Sequence, residues 1–137
     1  MKKYIKIIIL LIFLLFLIFL YINKQNLPVS IFQIQTGSMI PKIDIGEIVI
    51  LFKGQEYREN EIITYKVDDI YFVTHRIVRI EEKGYITKGD YNNAEDDEIV
   101  EQEQIIGKVI MHSKVLGKIY KYRFFIIIIL ILFLVLL

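Results

Sequence analysis

The chain has 137 residues, enough for one domain with attached segments, and a net charge of +1 at neutral pH. Its hydrophobic fraction of 55% is concentrated in two blocks, residues 5–22 and 124–137, and the twelve basic residues from Lys24 to Lys118 are outnumbered by sixteen acidic ones in the same stretch. The acidic middle excludes nucleic acid as the partner, and the absence of cysteine excludes disulfides, cysteine-based metal sites and cysteine catalysis.

The N-terminal block predicts a membrane anchor over residues 1–24. Residues 7–23 carry no charge, and as a helix they would span roughly 25 Å, close to the thickness of a bilayer core. Lysines at positions 2, 3 and 6 place the N-terminus in the cytoplasm and the rest of the chain outside it. A cleavable signal peptide is the alternative, but the apolar run is long for one and no small-x-small cleavage site follows it.

Residues 30–115 predict a mostly β domain. Segments rich in β-branched and aromatic residues alternate with glycine- and proline-containing turns, as in IFQIQT, EIVILF, EIITYKV, YFVTHRIVRI, YITK and IIGKVIM. Short strands at close spacing favour a small compact antiparallel sheet or partly open barrel. No long amphipathic helix is predicted between residues 23 and 120.

The C-terminal block predicts a second transmembrane helix over residues 120–137. Its uncharged run, residues 124–137, is short for a crossing unless Lys121 and Arg123 extend their charges to the interface. The basic residues from Lys114 to Arg123 would then lie on the outer side, which the positive-inside rule disfavours. A tail that lies in the membrane without crossing it is the alternative.

The first candidate catalytic motif is TGSMIP, residues 36–41. Pro41 ends strand pairing, and Gly37 permits a sharp turn close to another chain. A serine in such a turn can present both its hydroxyl and its backbone N–H to one substrate carbonyl, as a nucleophile with an oxyanion hole requires. Ser38 is thus a candidate nucleophile, although a serine in a Gly-Ser turn is more often structural.

His75 is the second candidate. Strand alternation places it on one face with Val73 and Ile77, so it points toward the core or a groove. A lone histidine there is usually a core residue with a satisfied hydrogen bond. Because imidazole titrates near neutrality, it also suits a general base that activates a serine.

The third candidate is the stretch TKGDYNNAEDD, residues 87–97. Such loops are usually plain acidic surface turns, and clustered carboxylates and amides also suit calcium, although the spacing does not match an EF-hand. In a catalytic site, one aspartate of this loop would orient His75 and stabilise its charged form.

Taken together, the three stretches resemble the boxes of type I signal peptidases, in the branch that includes endoplasmic-reticulum, archaeal and SipW-like enzymes. TGSMIP is similar to the family's nucleophile box, which places Ser38 as the nucleophile, with Thr36 where serine is commoner. The run VTHR is similar to the box that carries the histidine base, His75. The run TKGDYNNAED places Asp90 and Asp96 at the family's two important aspartates, and Asp97 is the alternative to Asp96 if the loop is shifted by one residue.

The resemblance implies a serine endopeptidase that cleaves signal peptides from exported preproteins at the membrane. In it Ser38, His75 and Asp96 are catalytic and Asp90, Thr36 and Asp97 are supporting, with no cofactor and no metal. Signal peptides and the lipid bilayer are the implied partners, any accessory subunit is left open, and the β domain lies on the extracytoplasmic face of the cell membrane. Met39 and Ile40, beside the nucleophile, are candidates for membrane contact, with ordinary packing into the domain as the alternative. The rival hypothesis is a catalytically silent, membrane-anchored β module that binds extended peptides.

Overall fold

A computed structural model describes residues 2–22, 27–68 and 70–136. Residues 1, 23 and 24 of the predicted anchor, and residue 137 of the C-terminal block, lie outside this description. The core of the fold is one six-stranded sheet in the order β1-β2-β6-β3-β4-β5. The strands are β1 (Val29–Gln33), β2 (Ile48–Phe52), β3 (Ile62–Val67), β4 (Tyr71–Glu81), β5 (Gly84–Lys88) and β6 (Ile105–Ser113).

Every pair of neighbouring strands in this sheet is antiparallel, and the sheet is not closed. The prediction of a mostly β, antiparallel domain is therefore confirmed. Each segment singled out in the sequence contributes a strand, because its β-branched and aromatic side chains can pack on both surfaces of a pleated sheet.

The hydrophobic core lies on both faces of the sheet, with β3 at its centre. The consecutive residues Ile62 and Ile63 belong to two different clusters, since neighbouring side chains of a strand point to opposite faces. The Ile62 cluster also contains Ile34, Met39, Ile43, Val49 and Leu51. The Ile63 cluster also contains Tyr57, Tyr65, Ile77, Tyr85, Val100 and Ile105.

The described residues also form three α-helices, α1 (Lys2–Ile22), α2 (Lys114–Lys121) and α3 (Arg123–Leu136), and a short 3-10 helix at Gln102–Gln104. Across the described residues, we find no helix that combines the length and the apolarity needed to cross a membrane. Both predicted transmembrane segments therefore stay predictions. The amphipathic helix α2 was not predicted, because only eight residues separate the end of β6 from the break before α3.

The N-terminus of α2 is capped and packed onto the start of β2. The Ser113 hydroxyl accepts a hydrogen bond from the Leu116 N–H at 3.2 Å, which satisfies one free donor of the first turn. Gly117 is buried, and a Cβ atom at this position would lie 2.1 Å from the Gly46 carbonyl oxygen. Lys114 Nζ donates to Asp44 Oδ2 at 2.7 Å. The helix is thus attached to the sheet by backbone contact and by an ion pair.

We expect Ile63→Ala to lower the free energy of unfolding by about 2–5 kcal/mol, because Ile63 is fully buried at the centre of β3 and its loss leaves a cavity. Ile31→Ala on β1 is the matched control, since Ile31 is 65% exposed and its truncation should change stability by less than about 0.5 kcal/mol. Urea unfolding in detergent, followed by tyrosine fluorescence, measures both. Equal losses would show that β3 is not the core of the fold.

Candidate active site

His75 lies on β4, opposite Ile63 of β3, and is 8% exposed. The predicted alternation is correct, because Ile77 on the same face is fully buried and Val73 is half-buried. Its ring is held by one carboxylate: Nδ1 lies 2.6 Å from Asp96 Oδ2. Because a carboxylate can only accept, Nδ1 carries the proton and the lone pair of a neutral ring is on Nε2.

One oxygen of Asp96 binds three side chains. Besides His75, the Thr87 hydroxyl donates to Oδ2 at 2.6 Å and the Tyr65 hydroxyl donates to it at 3.2 Å. The Asp96 backbone N–H donates to the Thr87 carbonyl at 2.8 Å, which fixes the loop beside β5. The carboxylate is therefore constrained from the main chain and from three side chains.

Tyr65 is a permanent donor in this group. Burial raises the pKa of Tyr65 to about 12, and the negative charge of Asp96 acts in the same direction. Because the pKa of the phenol is raised, its hydroxyl stays protonated throughout the neutral range. Its oxygen also lies 3.1 Å from Thr87 Oγ1, so the two hydroxyls hold each other in place beside the carboxylate.

Asp90 binds arginine instead of histidine. Arg76 donates from Nε to Oδ1 at 2.8 Å and from Nη2 to Oδ2 at 2.6 Å, a two-pronged geometry that orients both groups. The hydrogen bonds that Arg76 donates to Asp90 raise the pKa of Arg76. Arg76 Nη1 also donates to the Asn60 carbonyl at 2.8 Å. Asp90 thus fixes its loop to the strand residue that follows His75.

Ser38 lies in a turn that packs against the same loop. The Ser38 carbonyl accepts a hydrogen bond from the Tyr91 N–H at 2.8 Å, and a Cβ atom at residue 89 would lie 2.7 Å from that carbonyl. Only glycine at position 89 allows this approach. Met39 is 1% exposed and packs in the core, so it fixes the turn from inside. Of the two alternatives for Met39, packing into the domain is therefore the one that the structure shows, and Ile40 is half-buried.

Ser38 and His75 line one cavity of about 730 Å³, together with Thr36, Met39 and Asn92. Among the described residues, neither the hydroxyl nor the backbone N–H of Ser38 has a hydrogen-bond partner, and the exposed Thr36 hydroxyl has none either. Serine and histidine thus share a space without being hydrogen-bonded to each other. A general base needs a direct or water-mediated contact of about 2.6–3.2 Å, which ligand binding in the cavity can establish.

Asp97 is exposed and lines a second cavity of about 500 Å³, whose walls also include His75 and Asp96. The hydrogen bond to His75 comes from Asp96 and not from Asp97. In the part of the chain that the structure describes, no group of three or more His, Cys, Asp or Glu side chains is arranged to hold a metal ion. The calcium hypothesis drew on the loop from Asp90 to Asp97, in which the carboxylates of Asp90 and Asp96 bind Arg76 and His75.

The family model for Peptidase S24-like proteins matches residues 16–110. The chain belongs to this family. The signal peptidase complex catalytic subunit SEC11 of Metarhizium robertsii is 34% identical over 106 residues, which covers 66% of this chain and 61% of that protein. SEC11 of Sclerotinia sclerotiorum gives the same identity and coverage. Signal peptidase I W of Bacillus subtilis is 34% identical over 77 residues, covering 51% of this chain and 40% of that protein.

These comparisons confirm the resemblance to signal peptidases that the three sequence boxes indicated. The matched residues 16–110 include all six site residues singled out in the sequence: Thr36, Ser38, His75, Asp90, Asp96 and Asp97. The chain spans about three fifths of the length of the SEC11 proteins, so parts of those proteins have no counterpart in this comparison.

Sequence reasoning missed Tyr65, Thr87, Arg76 and Asn92 as members of the site. Thr87 and Arg76 lie inside the recognised runs TKGD and VTHR, so their place in these runs was available as a signal. Tyr65 was counted only as a strand residue, because nothing in its spacing relates it to a loop 31 residues away. Asn92 lines both cavities beside His75, which only the folded loop reveals.

Asp96→Asn should remove the hydrogen-bonded Nδ1–H signal of His75, because a side-chain amide cannot replace a charged acceptor that already binds two hydroxyls. Asp97→Asn is the matched control and should leave that signal unchanged. Nitrogen-15 NMR of labelled histidine side chains measures both, in a His112→Gln background that leaves one histidine. Loss of the signal in Asp97→Asn and its retention in Asp96→Asn would assign the orienting role to Asp97.

Proposed function

We propose that the protein is a serine endopeptidase that cleaves signal peptides from exported preproteins, with Ser38 as nucleophile, His75 as general base and Asp96 as the residue that orients the base. The observation that carries the proposal is the cavity shared by Ser38 and His75, with the far side of the imidazole held by Asp96. Membership of a peptidase family and similarity to proteins named as signal peptidases support it.

The proposed reaction begins with proton transfer from the Ser38 hydroxyl to Nε2 of His75. Ser38 Oγ then attacks the scissile carbonyl, and the proton passes from His75 to the leaving amine. His75 then takes a proton from water, which attacks the resulting ester, and returns this proton to Ser38 Oγ as the ester bond breaks. Asp96 holds Nδ1–H throughout and stabilises the imidazolium that forms between the two proton transfers.

The oxyanion of the tetrahedral intermediate is proposed to bind the Ser38 backbone N–H, assisted by the Thr36 hydroxyl. Both groups lack a hydrogen-bond partner within the described residues, and both residues line the cavity. Donors that are already oriented toward the position where negative charge develops lower the barrier without reorganisation during the reaction.

The substrate is proposed to bind as an extended strand. On β4 the pairing with β5 begins at Arg76, so the outer edge of Tyr71 to His75 has no strand beside it among the described residues. This open edge lines the cavity together with the end of β1 and the segment that follows it, from Gln33 to Thr36. An extended peptide can form main-chain hydrogen bonds to such an edge. Small residues at positions −1 and −3 of the substrate are proposed from the resemblance.

The proposed location is the membrane, with residues 1–24 as anchor, residues 30–115 as extracytoplasmic catalytic domain and residues 120–137 as a second membrane segment. Exposed apolar side chains on both terminal helices support this, including Leu15 at 64% and Phe124 at 66% exposure. Because SEC11 is named as a subunit of a complex, accessory subunits are included in the proposal.

Ser38→Ala and His75→Ala should each reduce cleavage of a preprotein with an Ala-x-Ala site by at least about 10³-fold, because each removes a group that acts in both chemical steps. Ser30→Ala and His112→Gln are the matched controls, since Ser30 lies on β1 and His112 at the end of β6. The assay uses full-length protein in lipid vesicles. A folded parent protein that binds the preprotein without cleaving it would favour the silent binding module.

Tyr65→Phe should lower kcat by about 2- to 10-fold with little change in KM, because Asp96 loses one neutral donor while the substrate edge stays intact. Tyr57→Phe is the matched control: Tyr57 lies in the same hydrophobic cluster, but its hydroxyl contacts only the Gly54 backbone. Steady-state kinetics on the same preprotein separate the two parameters. Equal effects of both variants would mean that the Tyr65 hydroxyl has no specific role at Asp96.

A further inference from the structure

We infer that helix α2 lies in the interface of an anionic lipid bilayer and thereby sets the orientation of the β domain on the membrane. The inference rests on the proposed membrane location and goes beyond it, because it assigns a surface and a lipid class to eight residues, Lys114–Lys121, that are neither in the anchor nor in the catalytic site.

The first observation is that α2 has one side in contact with the β domain and a different, apolar side that is exposed. Gly117 and Lys114 face the β domain, through the Gly46 carbonyl and Asp44. At 100° per residue, Val115 and Ile119 lie on a different side of the helix. They are 66% and 50% exposed. The apolar face of α2 is thus turned away from Gly46 and Asp44, through which the helix contacts the β domain.

The second observation is the positive charge of α2 and of the residue after Tyr122. Lys114, Lys118 and Lys121 fall within one narrow stripe of the helix, and Arg123 follows it. Residues 114–137 contain no acidic side chain. A helix with lysines on one face and apolar residues on the other is typical of segments that lie flat in a membrane interface, where cations meet anionic headgroups.

The third observation is the aromatic side chains at the end of α2. Tyr120 and Tyr122 are 45% and 55% exposed. The guanidinium of Arg123 lies 4.1 Å from the centroid of the Tyr120 ring, and Lys121 Nζ lies 5.8 Å from that of Tyr122. Tyrosine with neighbouring cations is the composition enriched at the level of lipid headgroups. Lys114 is already paired with Asp44, so a protein partner would have to match the three other cations, Lys118, Lys121 and Arg123, with carboxylates, whereas an anionic bilayer supplies negative charge everywhere.

The experiment exploits the absence of cysteine from the chain. Ile119→Cys and Lys118→Cys place a spin label on the apolar face and on the basic stripe of full-length protein. The protein is reconstituted in vesicles of equal parts phosphatidylglycerol and phosphatidylcholine. We expect the label at position 119 to be accessible to oxygen and protected from a water-soluble nickel chelate, and the label at position 118 to show the reverse.

Two results would overturn the inference. Equal access of the nickel chelate to both labels would place α2 in water. Protection of position 119 from both oxygen and the chelate would mean that protein covers this face, as in a self-associated form. Vesicles of pure phosphatidylcholine test the lipid class, and undiminished protection of position 119 there would contradict the role of anionic headgroups.

The variant Ile119→Glu tests whether the membrane contact of α2 contributes to cleavage. We expect it to reduce cleavage of a membrane-embedded preprotein several-fold, while cleavage of a short soluble peptide in detergent and the urea midpoint stay unchanged. An equal loss on both substrates would overturn the orienting role. The spin-label measurement needs no activity, so a failure of the proposed peptidase function and a failure of the membrane contact are distinguishable.

Discussion

The Asp96 carboxylate connects three elements of the fold that sequence separates widely. Through one oxygen it accepts hydrogen bonds from Tyr65 on β3, His75 on β4 and Thr87 on β5. Removing an acceptor from buried donors costs more free energy than a typical hydrogen bond contributes, so these three groups constrain where the loop can run. The tautomer of His75, and with it the direction of its free lone pair, depends on this one carboxylate.

The same loop also determines where the serine lies. Between Thr87 and Asp96 it passes Gly89 and Tyr91, whose backbones contact the Ser38 carbonyl, while Asp90 is held to β4 by Arg76. A displacement of the loop would therefore move the base and the turn of the nucleophile together. The two aspartates have different roles. Asp96 orients His75, and Asp90 holds the loop that contacts both His75 and the Ser38 carbonyl. This explains why Asp90 matters for the geometry without touching His75.

Much of this arrangement was predictable from sequence, and the rest depends on long-range packing. The strands follow from local alternation, and the three boxes single out Ser38, His75 and Asp96 as candidate catalytic residues. The choice between Asp96 and Asp97 depends on the path of an irregular loop, which no periodicity reports. Tyr65 joins the site because the strand order brings β3 beside β4, a property of topology. The place of Met39 stayed open in the sequence because an apolar residue in a turn can face either the membrane or the core, and here it packs with the neighbouring core residues.

The basic residues from Lys114 to Arg123 pose a problem for a simple second crossing, because the positive-inside rule disfavours them on the outer side. A helix that lies flat in an anionic interface resolves this conflict, since its cations stay among headgroups. The flat orientation of α2 also suits the proposed cleavage of signal peptides at the membrane. A substrate that emerges from the bilayer reaches an open sheet edge only if that edge is held at a fixed distance from the bilayer surface. The close contact of Gly117 with the Gly46 backbone leaves no room for a side chain, so it transmits the tilt of α2 to the start of β2. A flexible linker at this point would lose that coupling.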